Sequence, residues 1–235
     1  MKRIAILQSN YLPWKGYFDL IARVDEFVFY DEVQYTTSDW RNRNRIKTAQ
    51  GLRWLTVPVR HASRAGTCID DVEIAGTRWS TIHARTLHGA YARAPHGAAM
   101  IALLAPLYEP GRHTRLAALN RAAIASICRH LGIDTTLSRS IDYPSSGAGR
   151  TERLVEICRQ AGADCYVSGP AARAYLDEAA FAAAGIAVEW FDYEGYPEYP
   201  QLWGAFEHRV SIVDLLAHCG PQSPRFLRHA RIDRP

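Results

Sequence analysis

Residues 1–46 constrain the fold of this chain most. An apolar run, Ile4 to Leu7, leads into Gln8-Ser9-Asn10-Tyr11-Leu12-Pro13-Trp14-Lys15-Gly16-Tyr17. An apolar helical pattern follows, then a second run, Phe27-Val28-Phe29-Tyr30-Asp31. The order is strand, turn, helix, strand. In open α/β sheets ligands bind beyond the carboxyl ends of the strands, so this polar and aromatic turn is where a site would begin. The cluster Trp40-Arg41-Asn42-Arg43-Asn44-Arg45-Ile46 adds donors suited to an anionic or amide-bearing ligand.

Periodicity extends the α/β pattern along the chain. Lys2–Gln8 and Glu26–Glu32 are expected as strands, and Trp14–Val24 as a helix with Tyr17, Leu20, Ile21 and Val24 on one face. Arg53–Arg60 alternates, with Leu55, Val57 and Val59 on one side, and Pro58 marks an edge or a strand end. The middle reads as three helices, Trp79–Ala94, Gly97–Leu107 and Arg115–Leu131, the last closed by Gly132. This alanine-rich block shows no chemistry. Strand and helix then alternate again: Thr135–Ser138, Thr151–Ala161, Asp164–Ser168, Ala171–Ala184 and Ala187–Tyr193. A last helix, Ser211–His218, has Ser211 as N-cap, and a short basic tail follows Pro221. The expected fold is one α/β domain over 1–235, a mostly parallel, Rossmann-like sheet flanked by helices, with a helical middle insertion at about 79–132.

The 235 residues suit one sizeable domain, and the net charge of +4 is too small to identify a nucleic-acid binder. Five cysteines with no Cys-x-x-Cys pair imply reduced, mostly buried thiols and a cytoplasmic protein. No signal peptide is legible, and no apolar run approaches the roughly 20 residues that span a bilayer. The nine histidines make no metal-ligand pattern, so no metal is expected. A Gly-x-Ser-x-Gly elbow is absent.

Among candidate site residues, Gln8 at the end of the first strand can both donate and accept. Tyr11 and Trp14 can stack on a sugar or a base, or cover the first helix. Pro13 and Gly16 read as architectural. Asp31 is a candidate general base, and the alternative is a strand-end cap. Extended backbone would set Arg41, Arg43 and Arg45 on one side, and Asn42, Asn44 and Ile46 on the other. Arginine forks suit phosphate or carboxylate, while a solvated basic loop or an RNA-contacting patch is the competing explanation. Ser145–Thr151 and Ser168-Gly169-Pro170 are strand-to-helix junctions that could hold an anion or simply cap a helix. Tyr193–Tyr199, with Gln201 and Trp203, is an aromatic loop that could be a lid or surface packing.

The motif Gln8-x-x-Tyr11-x-Pro13-Trp14-x-Gly16-Tyr17, with Phe27–Asp31, Trp40–Ile46 and Leu55-Thr56-Val57-Pro58, resembles the WbqC-like proteins. The likeness returns in Glu152–Cys158, Ala163–Pro170 and Ser211–Leu216, and is weakest in the middle helices. One departure is Ser9, where several relatives carry Pro. The resemblance implies a role in surface-polysaccharide gene clusters, as a glycine transferase that decorates an amino sugar through an amide bond.

The leading expectation is therefore an amide-forming transferase of O-antigen-type or related polysaccharide biosynthesis. Asp31, Gln8 and Asn42 would carry catalysis. Tyr11, Trp14, Lys15, Trp40, Arg41, Arg43, Asn44, Ser168 and Gly169 would bind a small, anionic substrate such as a nucleotide sugar or acyl donor. Aminoacyl-tRNA, an acyl thioester and an ATP-made acyl phosphate all remain open as donor. A nucleotide-dependent ligase or adenylyltransferase is the second expectation. Such enzymes hold ATP phosphates with a His-x-Gly-His signature, where this chain has Trp14-Lys15-Gly16-Tyr17 and Lys15 would be the contact. A non-catalytic nucleotide-sugar or RNA-binding protein is the third.

Overall fold

The computed structural model describes residues 1–60, 66–147 and 149–230. Five short strands make one parallel sheet: β1 (Arg3–Leu7), β2 (Glu26–Phe29), β5 (Thr136–Arg139), β6 (Cys165–Ser168) and β7 (Ala187–Trp190). Their order across the sheet is β5-β2-β1-β6-β7. Successive strands are laid outward from β1 on one side, then from β6 on the other. The β1/β6 boundary is thus the topological switch point of a doubly wound sheet.

Both faces of the sheet are covered, which explains why its strands are apolar throughout. Ala5, Phe27, Phe29, Cys165 and Val167 pack towards α1 (Lys15–Arg23), α4 (Leu116–His130) and α7 (Ile212–Cys219). The alternate residues Ile4, Ile6, Val28 and Tyr166 pack towards α5 (Arg150–Gln160) and α6 (Glu178–Ala183). Between β2 and β5 the chain inserts an antiparallel hairpin, β3 (Arg43–Thr48) and β4 (Gly51–Thr56). Helices α2 (Arg78–Tyr91), α3 (Gly97–Leu104) and α4 follow.

Four local expectations need correction. The stretch expected as one helix over 171–184 is a 3-10 turn, Pro170–Ala174, followed by the short α6. Asp177 separates them, because its carboxylate accepts from the N–H groups of Ala179 and Ala180 and starts a new helix. Helix α3 stops at Leu104 and tightens into a 3-10 turn at Pro106. Asp31 lies two residues past the end of β2 rather than closing it. The basic segment is only partly extended: Arg41 and Asn42 lie in a turn, and strand β3 begins at Arg43. Ser211 does cap α7, accepting from the Val213 N–H. Ala148, within the small-residue loop, and residues 231–235, in the basic tail, lie outside the described residues. Among the described residues no helix is long and apolar enough to cross a membrane.

Phe27 sits at the centre of the larger core, fully buried and edge-on to both Tyr17 and Phe29. Phe27→Ala should cost about 3–5 kcal/mol in urea unfolding, as for other large-to-small core changes. A loss below about 1 kcal/mol would place the core elsewhere.

Candidate active site

The turn after β1 is strained and locked. Leu12 has φ +42, a left-handed conformation that a leucine adopts only when its surroundings impose it. Asn44 on β3 imposes it: its Nδ2 donates to the carbonyls of Leu12 (2.8 Å) and Tyr11 (3.3 Å). The Tyr11 N–H donates to the Trp40 carbonyl, and the Ile212 N–H to that of Pro13. Tyr11 is buried, its hydroxyl bonded to His83 Nδ1 (2.8 Å) and the Tyr108 hydroxyl (2.7 Å). Burial pushes His83 down to about 4, so this contact is made by a neutral ring. Gly16 is required by Trp14, whose indole lies where a Cβ would be (2.3 Å).

A cavity of about 1040 Å³ opens beside this turn, at the carboxyl ends of β1, β6 and β7. Leu7 and Asn10 reach it from β1, Pro170 and Arg173 from beyond β6, and the segment Trp190–Tyr196 from β7. Pro13, Trp14, Tyr17, Trp40, Asn44, His208 and Arg209 complete the wall. Trp14 stands between Tyr193 (5.5 Å) and Tyr196 (5.7 Å). The Tyr196 hydroxyl donates to the buried carboxylate of Asp19 (2.8 Å), which also accepts the backbone N–H groups of Arg228 and His229.

Arg41 organises two amides, of which Asn10 lines the cavity and Gln8, like Arg41 itself, does not. Its guanidinium donates to Asn10 Oδ1 (2.7 Å) and Gln8 Oε1 (3.2 Å). A guanidinium has no acceptor, so both amides must turn their oxygens to it and leave Nδ2 and Nε2 as donors. Gln8 and Arg41 are therefore brought together.

Asp31 is placed elsewhere. It is buried, does not line the cavity, and has both oxygens engaged, by the Ser9 N–H (2.8 Å) and by Arg121 (2.8 Å). Arg121 also pairs with Asp70 (2.6 Å). Burial raises the Asp31 carboxyl above its ordinary value, although Ser9 and Arg121 oppose the shift. The expected general base is thus a buried brace. Arg121 and Asn120, whose Nδ2 donates to the Arg41 carbonyl (2.8 Å), both come from α4. The middle helices, which showed no chemistry in sequence, hold the site from beneath.

Other expected residues also serve the framework. Asn42 is buried and donates to the Val57 carbonyl (2.9 Å). Arg43 bonds the Ser38 carbonyl and lies over the Trp54 ring (4.4 Å). Ser168 is buried with Oγ towards the Tyr166 hydroxyl, and a Cβ at Gly169 would touch the Tyr193 ring at 3.5 Å. Ser146 is engaged by Glu156 rather than open to an anion. Lys15 is buried among Tyr196, Tyr199 and Phe206, and its Nζ donates to the Pro197 carbonyl (2.8 Å). Burial lowers it to about 8.

Sequence reasoning missed Arg173, Trp190, Asp192, Glu194, His208 and Arg209. Only the aromatic density of 193–199 marked the region. Gln201 and Trp203 are packed rather than lid-like: Gln201 bonds Lys47 and Asp214, and Trp203 bonds the Ala90 carbonyl. His208 is the most informative omission. Burial first, then the Lys15 cation, lower its pKa, and its buried Nδ1 has no hydrogen-bond partner among the described residues.

The WbqC-like protein family model matches residues 8–226. The chain belongs to the WbqC-like protein family. The strained turn, Arg41 with its two amides, and every wall residue but Leu7 fall within the matched span. This WbqC-like chain is also 53% identical over 231 residues to Uncharacterized protein Rv1507c of Mycobacterium tuberculosis. That alignment covers 98% of this chain and 100% of the relative. No solved structure matches the chain.

Asn44→Ala should lose about 1–3 kcal/mol in urea unfolding, because buried carbonyls lose their donor. It should also speed hydrogen exchange at the Tyr11 amide. Asn44→Asp, which cannot donate, should not rescue; full stability in that variant would show that the amide does not hold the turn. Lys15 carries a linkage signature. Its folded pKa of about 8 lies below the ordinary 10.5, so the unfolded chain binds more protons between those values. Wild type should gain stability relative to Lys15→Met as pH rises from 8 to 10.5, and a constant difference would contradict the burial of the ammonium.

Proposed function

We propose that this WbqC-like protein is an amide-forming transferase. It moves a small acyl or aminoacyl group onto the amine of a sugar or nucleotide sugar in surface-polysaccharide or related biosynthesis. The observation that carries this reading is His208 on the cavity wall, held below its ordinary value of 6.5 and so neutral at pH 7. An amine is nucleophilic only after its ammonium loses a proton, and a neutral imidazole is suited to take it.

The neighbours divide the remaining work. Asp192 and Glu194 attract the ammonium, and Trp14, Trp190 and Tyr193 offer faces to a sugar ring or base. Arg173 and Arg209 face anionic groups of the substrate. The amide donor of Asn10, turned by Arg41 and lining the cavity, receives the oxyanion that forms at the acyl carbonyl, and Gln8 holds Arg41 from behind. Asp31 and Asn42 act as positioning residues, Asp31 through the Ser9 N–H and Asn42 through the Val57 carbonyl. The ligase alternative loses its phosphate contact, because the Lys15 ammonium is caged and bonded to Pro197.

The test supplies the purified chain with amino-sugar nucleotides and activated acyl donors and detects the amide by mass spectrometry. The wild-type rate should be flat near neutrality and fall on the acid side as His208 gains its proton, later than an ordinary imidazole because burial lowers its pKa. His208→Gln should lower kcat by about 100-fold and abolish that acid limb. An unchanged rate and pH profile in the variant would remove His208 as the base.

A further inference from the structure

The β3–β4 hairpin carries a surface that the transferase chemistry does not use. Directly opposed residues of an antiparallel pair point to the same side. Arg43 and Arg45 therefore share a face with Thr56 and Trp54, while Lys47, next on that side, is buried with its ammonium bonded to Gln201 and Ala205. The opposite face, with Asn44, Ile46 and Leu55, is buried against the locked turn and the core. On the outer face Trp40 lies beside Trp54, with ring centroids 5.5 Å apart and planes tilted by 38°, and each residue is 43% exposed. The Arg43 and Arg45 guanidinium groups lie 4.4 and 5.8 Å from the Trp54 ring.

The sequence around the hairpin is also one-signed, although only Arg43 and Arg45 of its basic residues are placed beside Trp54. From Trp40 to Ile69 the sequence has seven basic residues and no acidic one, so the rest of this +4 chain is net acidic. The strip is continuous with the cavity: Trp40 belongs to both the ring pair and the cavity wall, and Arg45 bonds the carbonyl of Arg209.

We propose that this hairpin face docks the single-stranded 3′ end of an RNA, which delivers an acyl group as an ester into the cavity. Exposed rings offer stacking faces to unpaired bases, and interleaved guanidinium groups take the phosphates between them. A duplex hides its base faces and would use only the charge. An acidic peptide would have no use for the paired rings.

The ester part rests on the transferase reading. In that step the amine nitrogen attacks the ester carbonyl. The C–N bond forms and the bond from the carbonyl to the ribose oxygen breaks. The proton passes from the amine to His208 and on to the ribose oxygen, which leaves as a hydroxyl. No further reactant is needed.

The experiment is fluorescence anisotropy on the full chain, with heparin as competitor. The probes are a dye-labelled RNA stem-loop with about four unpaired 3′ nucleotides and its blunt-ended counterpart. The overhang should bind about tenfold tighter than the blunt form and quench tryptophan emission. Trp54→Ala should weaken overhang binding by about tenfold, and Trp54→Phe should restore most of it. Arg43→Glu should weaken both RNAs and lower the salt slope by about one. Equal binding of the two RNAs, or an overhang indifferent to Trp54→Ala and displaced by heparin as readily as blunt RNA, would overturn the proposal. If the overhang binds as expected but no acyl ester yields amide, the RNA surface stands and the transferase reading falls. Amide from a small thioester without RNA binding gives the reverse.

Discussion

The left-handed turn at Leu12 is the constraint on which the rest of the site depends. A leucine held at positive φ costs about 1–3 kcal/mol, so it survives only where other contacts over-determine it. Three elements do so: the hairpin through Asn44, the segment before it through the Trp40 carbonyl, and α7 through the Ile212 N–H. The end of β1, the hairpin and the last helix are thereby joined at one point. With the turn in place, Trp14 and Asn10 reach the cavity and Tyr11 is directed into the helical layer.

Buried charge provides the second tier of order. Asp31 with Arg121 and Asp70 supports the first turn, and Asp19 with Tyr196 and the Arg228 and His229 amides ties down the far wall. Buried pairs of this kind contribute little net stability, since desolvation offsets much of the attraction. They do fix geometry, because a carboxylate with every oxygen committed cannot turn away without leaving a buried charge unpaired. This explains why Asp31, the most conspicuous acid near the first motif, is ill suited to proton transfer. His208 is better suited, being partly desolvated and uncommitted at Nδ1.

Much of the framework was legible before folding was considered. The alternation of Arg41, Arg43 and Arg45 with Asn42, Asn44 and Ile46 matches the observed split between partly exposed arginines and buried partners. The Ser211 cap and the strand limit near Pro58 follow from local backbone chemistry. Legibility failed where side chains answer to distant partners. Asp177 divides a helix-compatible stretch with two local hydrogen bonds, a detail that the alanine-rich pattern concealed. Asn120 and Arg121 look like ordinary helix residues until α4 is laid under the first turn.

The sequence by itself determined the parallel α/β architecture and the polar first turn. Those depend on periodicity, on turn chemistry and on residues close to one another in the chain. Only the tertiary structure decided that the cavity wall would draw on residues after β6 and β7 and on His208. It also decided that Asp31 and Lys15 would be buried as supports. Desolvation and partner choice set the chemistry of an ionisable side chain, and neither exists until segments far apart in sequence have been packed together.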